Sequence, residues 1–234
     1  MTISAYADIK ATEYFMLNTV NLEKTVNKFD FIFSIAVAKC KNVANIGFIV
    51  DSSGSLRREY GKEKEFVKQL AESFEISEAG SRAGVVTFSY HAKLSIAMNQ
   101  HTSVKDFNKA VDEEPLMGYT TRIDKALQLA KEQLMVGARS DAPRIVFLLT
   151  DGSQTASADA VDPAIVAKQL RDDGIQLIVI GIGKKTKVAE LQAIAGKNAN
   201  VYLAKDFDEL KSTEFVQKIS KVGCDKGQFC LYYF

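Results

Sequence analysis

The sequence predicts a three-layer, doubly wound α/β domain: a mostly parallel sheet with one antiparallel edge strand and helices on both faces. Three observations lead there. The runs 45–50 (NIGFIV), 144–150 (RIVFLLT) and 175–182 (IQLIVIGI) are nearly continuous in apolar, β-branched-rich residues. Strands buried on both faces of a parallel sheet read this way. Amphipathic helical patterns alternate with these runs, and such alternation makes a sheet covered on both sides. A further run, 92–98, alternates in character and suits an antiparallel strand at an exposed edge.

Taken in chain order, 45–50 is a strand ending at the Asp51 loop. Residues 62–74 form a helix with Phe66, Val67, Leu70, Ala71 and Phe74 on one face. Residues 82–89 (RAGVVTFS) form a strand, 92–98 the edge strand, and 104–111 a short helix. The pattern of Ile123, Ala126, Leu127, Ala130 and Leu134 predicts a helix over 122–134. After the strand 144–150, a helix spans 163–172, with Pro163 in its first turn where a missing N–H costs nothing. The strand 175–182 is followed by a helix over 188–195, a short strand over 200–203 and a last helix over 212–222. In that last helix Phe215, Val216, Ile219 and Val222 face inward.

The chain has 234 residues, enough for one such domain with short flanks. Lys plus Arg number 30 and Asp plus Glu 29, so no basic excess points to nucleic acid or an anionic membrane surface. No apolar run reaches the length of a membrane span. Residues 29–38 (FDFIFSIAVA) follow Lys24 and Lys28 and end in a small-x-small triplet, the form of a signal-peptide core cleaved near Ala38. An alternative is an amphipathic or strand-like segment packed on the domain. The expected organisation is an N-terminal segment 1–39, a domain 40–224 and a tail or linker stub 225–234. Cys40 and Cys224 bracket the patterned region, and Cys230 is left over. A Cys40–Cys224 bridge would join the start of the first strand to the end of the last helix and imply an oxidising compartment.

Three loops carry the chemistry, each at the end of a strand or the start of a helix. Ligands of open α/β sheets bind beyond the carboxyl ends of the strands. The first loop is Asp51-Ser52-Ser53-Gly54-Ser55, in which Asp51, Ser53 and Ser55 at spacing two point three oxygens one way. The second is Gly118-Tyr119-Thr120-Thr121-Arg122, and the third is Thr150-Asp151-Gly152-Ser153. Taken alone, each is an ordinary turn. Together they offer carboxylate and hydroxyl oxygens, hard donors that suit Mg²⁺, with Mn²⁺ or Ca²⁺ as alternatives. No His or Cys lies in these loops, which argues against zinc. Only Asp51 and Asp151 bring charge, so a cation held here keeps positive charge and an open position for a carboxylate.

At these residues the sequence resembles the von Willebrand factor A domains and their metal-ion-dependent adhesion site. The resemblance runs over about 42–222, and the Asp51-Ser53-Ser55, Thr121 and Asp151 motifs occur in the family's order. It implies a Rossmann-like fold in which Asp51, Ser53 and Ser55 approach the ion directly or through water. It further implies that Thr121 binds when ligand is engaged and that Asp151 acts through water. Counting back from Ile123-Asp124-Lys125-Ala126-Leu127 favours Thr121, with Thr120 in reserve. The bracketing cysteines look most like the extracellular-matrix branch: matrilins, cochlin and the A domains of collagens. The implied role is a secreted matrix adhesion module whose partner, collagen or another matrix protein, presents an Asp or Glu carboxylate. Tyr90, Tyr119, Thr120 and Gln154 are the expected ligand-binding rim. The rivals are a matrix-assembly domain whose contacts bypass the metal and an intracellular scaffold.

Enzymatic readings are poorer. Residues 181–186 (GIGKKT) lack the spacing of a phosphate loop and the third glycine of a dinucleotide fingerprint. The only histidines, His91 and His101, fall in turns without a nucleophile–base arrangement. Arg57, Arg58 and Lys62 read as a solvated helix start, offset by Glu63 and Glu65.

Overall fold

The computed structural model describes Cys40, residues 43–196 and residues 200–226. The N-terminal segment 1–39 with its signal-peptide reading, and Cys230 in the tail, lie outside the described residues. Six strands make one sheet in the order β3-β2-β1-β4-β5-β6. They are β1 (Asn45–Asp51), β2 (Arg82–Phe88), β3 (Ala92–Ile96), β4 (Arg144–Thr150), β5 (Ile175–Ile182) and β6 (Val201–Ala204). All neighbouring pairs are parallel except β2 with β3, which places the one antiparallel strand at an edge.

The helices are α1 (Tyr60–Glu72), α2 (Val104–Glu113), α3 (Ile123–Leu129), α4 (Pro163–Asp172), α5 (Val188–Ala195), α6 (Phe207–Leu210) and α7 (Thr213–Lys226). They cover the sheet from both sides, and the period-two alternation of the strands decides which side each residue serves. Ile46, Phe48 and Val50 of β1, with Ile145, Phe147 and Leu149 of β4, pack under α1, α2 and α7. Ile49, Val146 and Leu148 face the other way, under α3, α4 and α5.

Several boundaries differ from the sequence reading for identifiable reasons. The expected single helix over 122–134 is α3 followed by one π-helical turn, Ala130–Leu134. That wider turn lets Leu134 settle over two glycines of neighbouring strands, Gly47 in β1 and Gly84 in β2. An added Cβ would meet Leu134 at 2.8 Å from Gly47 and 3.0 Å from Gly84. The first helix runs two residues earlier at each end than expected, yet Phe74 beyond it is still buried. The last helix continues to Lys226 and so takes in Cys224 and the first two residues of the expected tail. Glu63 does not belong to a solvated helix start. It is 0% exposed, because its i, i+3, i+4, i+7 relation to Phe66, Val67 and Leu70 puts it on the core face of α1.

Cys40 and Cys224 form a disulfide across 184 residues, with Cα atoms 5.3 Å apart. It fastens the entry to β1 to the last turns of α7. The Cys40 N–H also donates to the Ser73 carbonyl, closing this end of the domain onto α1 (2.8 Å).

Candidate functional site

The chain leaves β1 towards β2 on one side and later returns through β4 on the other. The carboxyl ends of β1 and β4 are therefore a topological switch point, where loops diverge and leave a crevice. The register pairs Val50 with Leu149, so Asp51 and Thr150 end their strands side by side. The Thr150 hydroxyl donates to Asp51 Oδ2 at 2.7 Å. The other oxygen, Oδ1, accepts the Ser53 N–H at 2.9 Å, an Asx turn that curls the chain back over the strand end.

That turn opens a 3₁₀ segment, Gly54–Arg58, anchored by the fully buried Leu56. Ser53 makes no side-chain cap to it, so its hydroxyl is left to face the crevice. Ser53 Oγ lies 3.1 Å from Ser55 Oγ, and Ser55 Oγ donates to Asp151 Oδ1 at 2.9 Å. Asp51 and Ser53 form the buried floor, Asp151 is 7% exposed, and Ser55 stands at the mouth.

The second loop is stitched to the first. Gly54 N–H donates to the Tyr119 carbonyl (2.9 Å), Gly118 N–H to the Ser52 carbonyl (2.9 Å), and Met117 N–H to Ser52 Oγ (2.8 Å). A Cβ on Gly54 would come 3.2 Å from the Tyr119 oxygen, so a larger residue there would make the two loops give by a few tenths of an ångström. Gly118 and Tyr119 both have positive φ, +78° and +69°. For Tyr119 this is an uncommon conformation, held by the bond from Gly54. It leaves the tyrosine side chain 82% exposed beside the crevice.

Thr121, not Thr120, faces the site. It is 8% exposed, and its hydroxyl lies 3.6 Å from where a Cβ on Gly152 would stand. Thr120 is exposed. The second and third loops exchange hydrogen bonds, with Thr121 N–H donating to Thr155 Oγ1 (3.2 Å) and Thr155 N–H to the Thr121 carbonyl (2.8 Å). Asp51, Ser53, Ser55, Thr121 and Asp151 are thus gathered at one crevice.

The expected rim is less uniform. Tyr90 is 44% exposed and carries Lys125 Nζ over its ring at 4.6 Å. The Gln154 amide is spent within the protein: Nε2 donates to Asp124 Oδ1 (2.7 Å) and Oε1 accepts from the Asp124 N–H (3.2 Å).

Two features were missed by sequence reasoning. One is Arg122, whose guanidinium is 1% exposed and forms a bidentate pair with Asp124 (2.9 and 2.7 Å). Burial opposes ionisation of Asp124, but the bonds from Arg122, Gln154 and Val161 lower its carboxyl to about 2. The other is Glu63. Burial, then the charges of Asp51 and Asp151, push its carboxyl well above the usual range, with little offset from the Asp51 backbone. Neither of its oxygens has a well-formed hydrogen bond among the described residues.

Burial also raises Asp51 to about 6, although Thr150 and Ser53 bond to it and lower it. A buried carboxylate raised against such bonds is one that a cation would relieve. The donor set fits a hard divalent ion: two carboxylates and three hydroxyls, all oxygen. Among the described residues no group of three or more His, Cys, Asp or Glu gathers anywhere, the crevice included, so three of the five donors here are neutral hydroxyls.

Comparison with known proteins agrees with this architecture. The model of the von Willebrand factor type A domain matches residues 45–217. Similar chains include the human collagen alpha-6(VI) chain, 32% identical over 179 residues, covering 75% of this chain and 8% of that one. The human collagen alpha-5(VI) chain is 34% identical over 190 residues, covering 78% and 7% respectively. Mouse vitrin is 29% identical over 174 residues, covering 73% and 26%. This chain therefore spans only a small part of these relatives. Among solved structures, the proximal thread matrix protein 1 of the mussel byssus has a TM-score of 0.72 at 26% identity, covering 80% of this chain and 47% of that one. That structure is described as having a zinc-occupied metal-ion-dependent adhesion site. The fold, the matched segment and these relatives together establish that this chain belongs to the von Willebrand factor type A domain family.

Proposed function

We propose that the domain is an extracellular matrix adhesion module that holds a Mg²⁺-like cation with Asp51, Ser53, Ser55, Thr121 and Asp151 and receives an acidic residue of a partner protein there. The observation that carries this reading is the Ser53–Ser55–Asp151 chain of short oxygen contacts, 3.1 and 2.9 Å, above the buried Asp51 at the switch point. When bound, the ion supplies a positive centre with an open coordination position for a carboxylate. The protein supplies the rest. Asp51 provides buried charge, the serines and Thr121 provide neutral donors that leave the centre positive, and Asp151 orients Ser55.

Around the crevice, the exposed Tyr119, Thr120 and Tyr90 offer aromatic and hydroxyl contacts for specificity. The loop after β5 adds Lys184, Lys185 and Lys187, all exposed, on the same sheet edge. Positive charge there steers an acidic ligand towards the ion. The Cys40–Cys224 bridge fits an oxidising compartment and restrains α7, so the module acts as a mostly rigid binder.

Collagen and other matrix proteins are the partners to test first, given the collagen relatives. Binding to immobilised matrix proteins should be lost with EDTA, restored by Mg²⁺ or Mn²⁺, and lost in Asp151→Ala and Ser53→Ala variants that keep the wild-type circular dichroism. Binding that survives both treatments removes the cation from the mechanism. It would favour a second reading, a structural matrix-assembly domain, which the likeness to a byssal thread matrix protein recommends.

A further inference from the structure

Two of the five site residues, Thr121 and Asp151, come from loops without regular structure of their own. Besides the Thr121–Thr155 hydrogen bonds, a buried carboxylate, Asp124, ties these loops to one another. It accepts four donors: Arg122 Nε (2.9 Å) and Gln154 Nε2 (2.7 Å) on Oδ1, and Arg122 Nη2 (2.7 Å) and Val161 N–H (3.0 Å) on Oδ2. Arg122 directly follows Thr121, and Gln154 lies three residues beyond Asp151. The same guanidinium reaches farther along the third loop, to Asp159 Oδ1 (2.8 Å) and the Asp159 carbonyl (3.1 Å). Its backbone N–H donates to the Ser89 carbonyl at the end of β2 (2.9 Å). Gln154 N–H continues the brace to Glu190 Oε1 on α5 (2.7 Å).

We propose that Arg122 and Asp124 are positioning residues that fix Thr121 and Asp151 at their separation before the ion arrives. The geometry explains why a charged pair sits there. A buried ion pair adds little stability over apolar side chains of the same size. A planar guanidinium and a carboxylate with four acceptor positions do, however, fix directions that apolar packing leaves loose. Groups that orient metal ligands in this way commonly alter metal affinity by about 10- to 100-fold when replaced. The inference rests on the reading that these oxygens hold a divalent cation.

The test uses the whole domain and Mn²⁺ alone, with binding followed by electron paramagnetic resonance well below every variant's Tm. Asp124→Asn keeps shape and removes charge; Arg122→Lys keeps charge and removes the fork. Gln154→Leu removes one arm only and covers the case in which the ion-pair variants fail to fold. Phe74→Leu, at the opposite end of the domain beside Ser73, is the control for lost stability alone. Positioning predicts about tenfold weaker Mn²⁺ binding in Asp124→Asn and Arg122→Lys and a smaller loss in Gln154→Leu. It also predicts faster amide exchange at Thr121 and Thr155 and unchanged affinity in Phe74→Leu. Wild-type affinity in all three brace variants, despite lowered Tm, overturns the proposal and leaves the pair as a stabilising contact. Absence of Mn²⁺ binding in the unmodified domain overturns the site reading itself, and this proposal with it.

Discussion

The burial of Asp51 predicts that removing its charge stabilises the ion-free domain. An aspartate raised from 3.8 to about 6 is disfavoured as the anion at pH 7 by about 3 kcal/mol. Asp51→Asn removes that cost. One amide oxygen can still accept the Ser53 N–H, and Thr150 Oγ1 can turn to accept from the new amide. The bond lost is the charge-assisted one from Thr150, worth about 1–2 kcal/mol. The net gain is about 1–2 kcal/mol, or about 2–8 °C in Tm for a domain of this size. The sign with pH follows from the raised value. The folded state binds more protons than the unfolded state between 3.8 and 6, so the wild type loses stability as pH rises through that window. The cost that Asp51→Asn removes should therefore roughly halve from pH 7 to pH 5, which brings the variant's advantage close to zero at pH 5. Calorimetry in EDTA at the two pH values measures it. With Mg²⁺ at about 100 times its Kd the order should reverse, because the wild type gains about 2.7 kcal/mol and the variant none. A variant less stable than wild type in EDTA at pH 7, or a difference independent of pH, would show that burial does not disfavour the Asp51 anion.

Reducing the Cys40–Cys224 bridge frees a 184-residue loop, for which chain entropy gives a loss of about 5 kcal/mol, read as a Tm fall of about 10–20 °C in dithiothreitol. Glu63→Met removes a buried carboxyl without well-formed bonds and should stabilise the domain by about 1–3 kcal/mol; an unchanged or lower denaturation midpoint counts against it. Asp124, lowered to about 2, contributes about 2 kcal/mol that is present above pH 4 and lost as pH falls through 2. Urea titrations from pH 4 to pH 2 should show that loss in wild type and not in Asp124→Asn. Cation affinity should weaken below about pH 6, up to about tenfold per pH unit, as a proton competes at Asp51; isothermal titration between pH 5 and 7 reads it directly.

The parts of this fold legible in the sequence are those decided by local pattern. The span of α4 follows from Pro163 at its start and Asp173-Gly174 at its end, and β4 and β5 are unbroken apolar runs with polar borders. The π-helical turn after α3 was not legible, because it depends on the hollow over Gly47 and Gly84, residues distant in sequence. The 3₁₀ segment and α6 are too short to carry a period. At the site, the Asp51, Ser53 and Ser55 spacing and the choice of Thr121 over Thr120 could be read by counting, since strand and helix ends set where those residues fall. Arg122, Asp124 and Glu63 could not be read so simply. Charged residues near loops look solvated until the fold buries them. A signal did exist for Glu63, in its helical spacing to Phe66, Val67 and Leu70. For Arg122 and Asp124 the hint was only two opposite charges at the start of an apolar helix.

In the proposed site, oxygens from three loops hold one divalent cation at the end of β1 and β4. A crystal soaked in Mn²⁺ and measured at the manganese absorption edge tests it most directly. One strong anomalous peak is expected, enclosed by Asp51, Ser53, Ser55, Thr121 and Asp151 and absent from crystals of Asp151→Ala. A crevice without a peak, or a peak bound elsewhere on the domain, contradicts it.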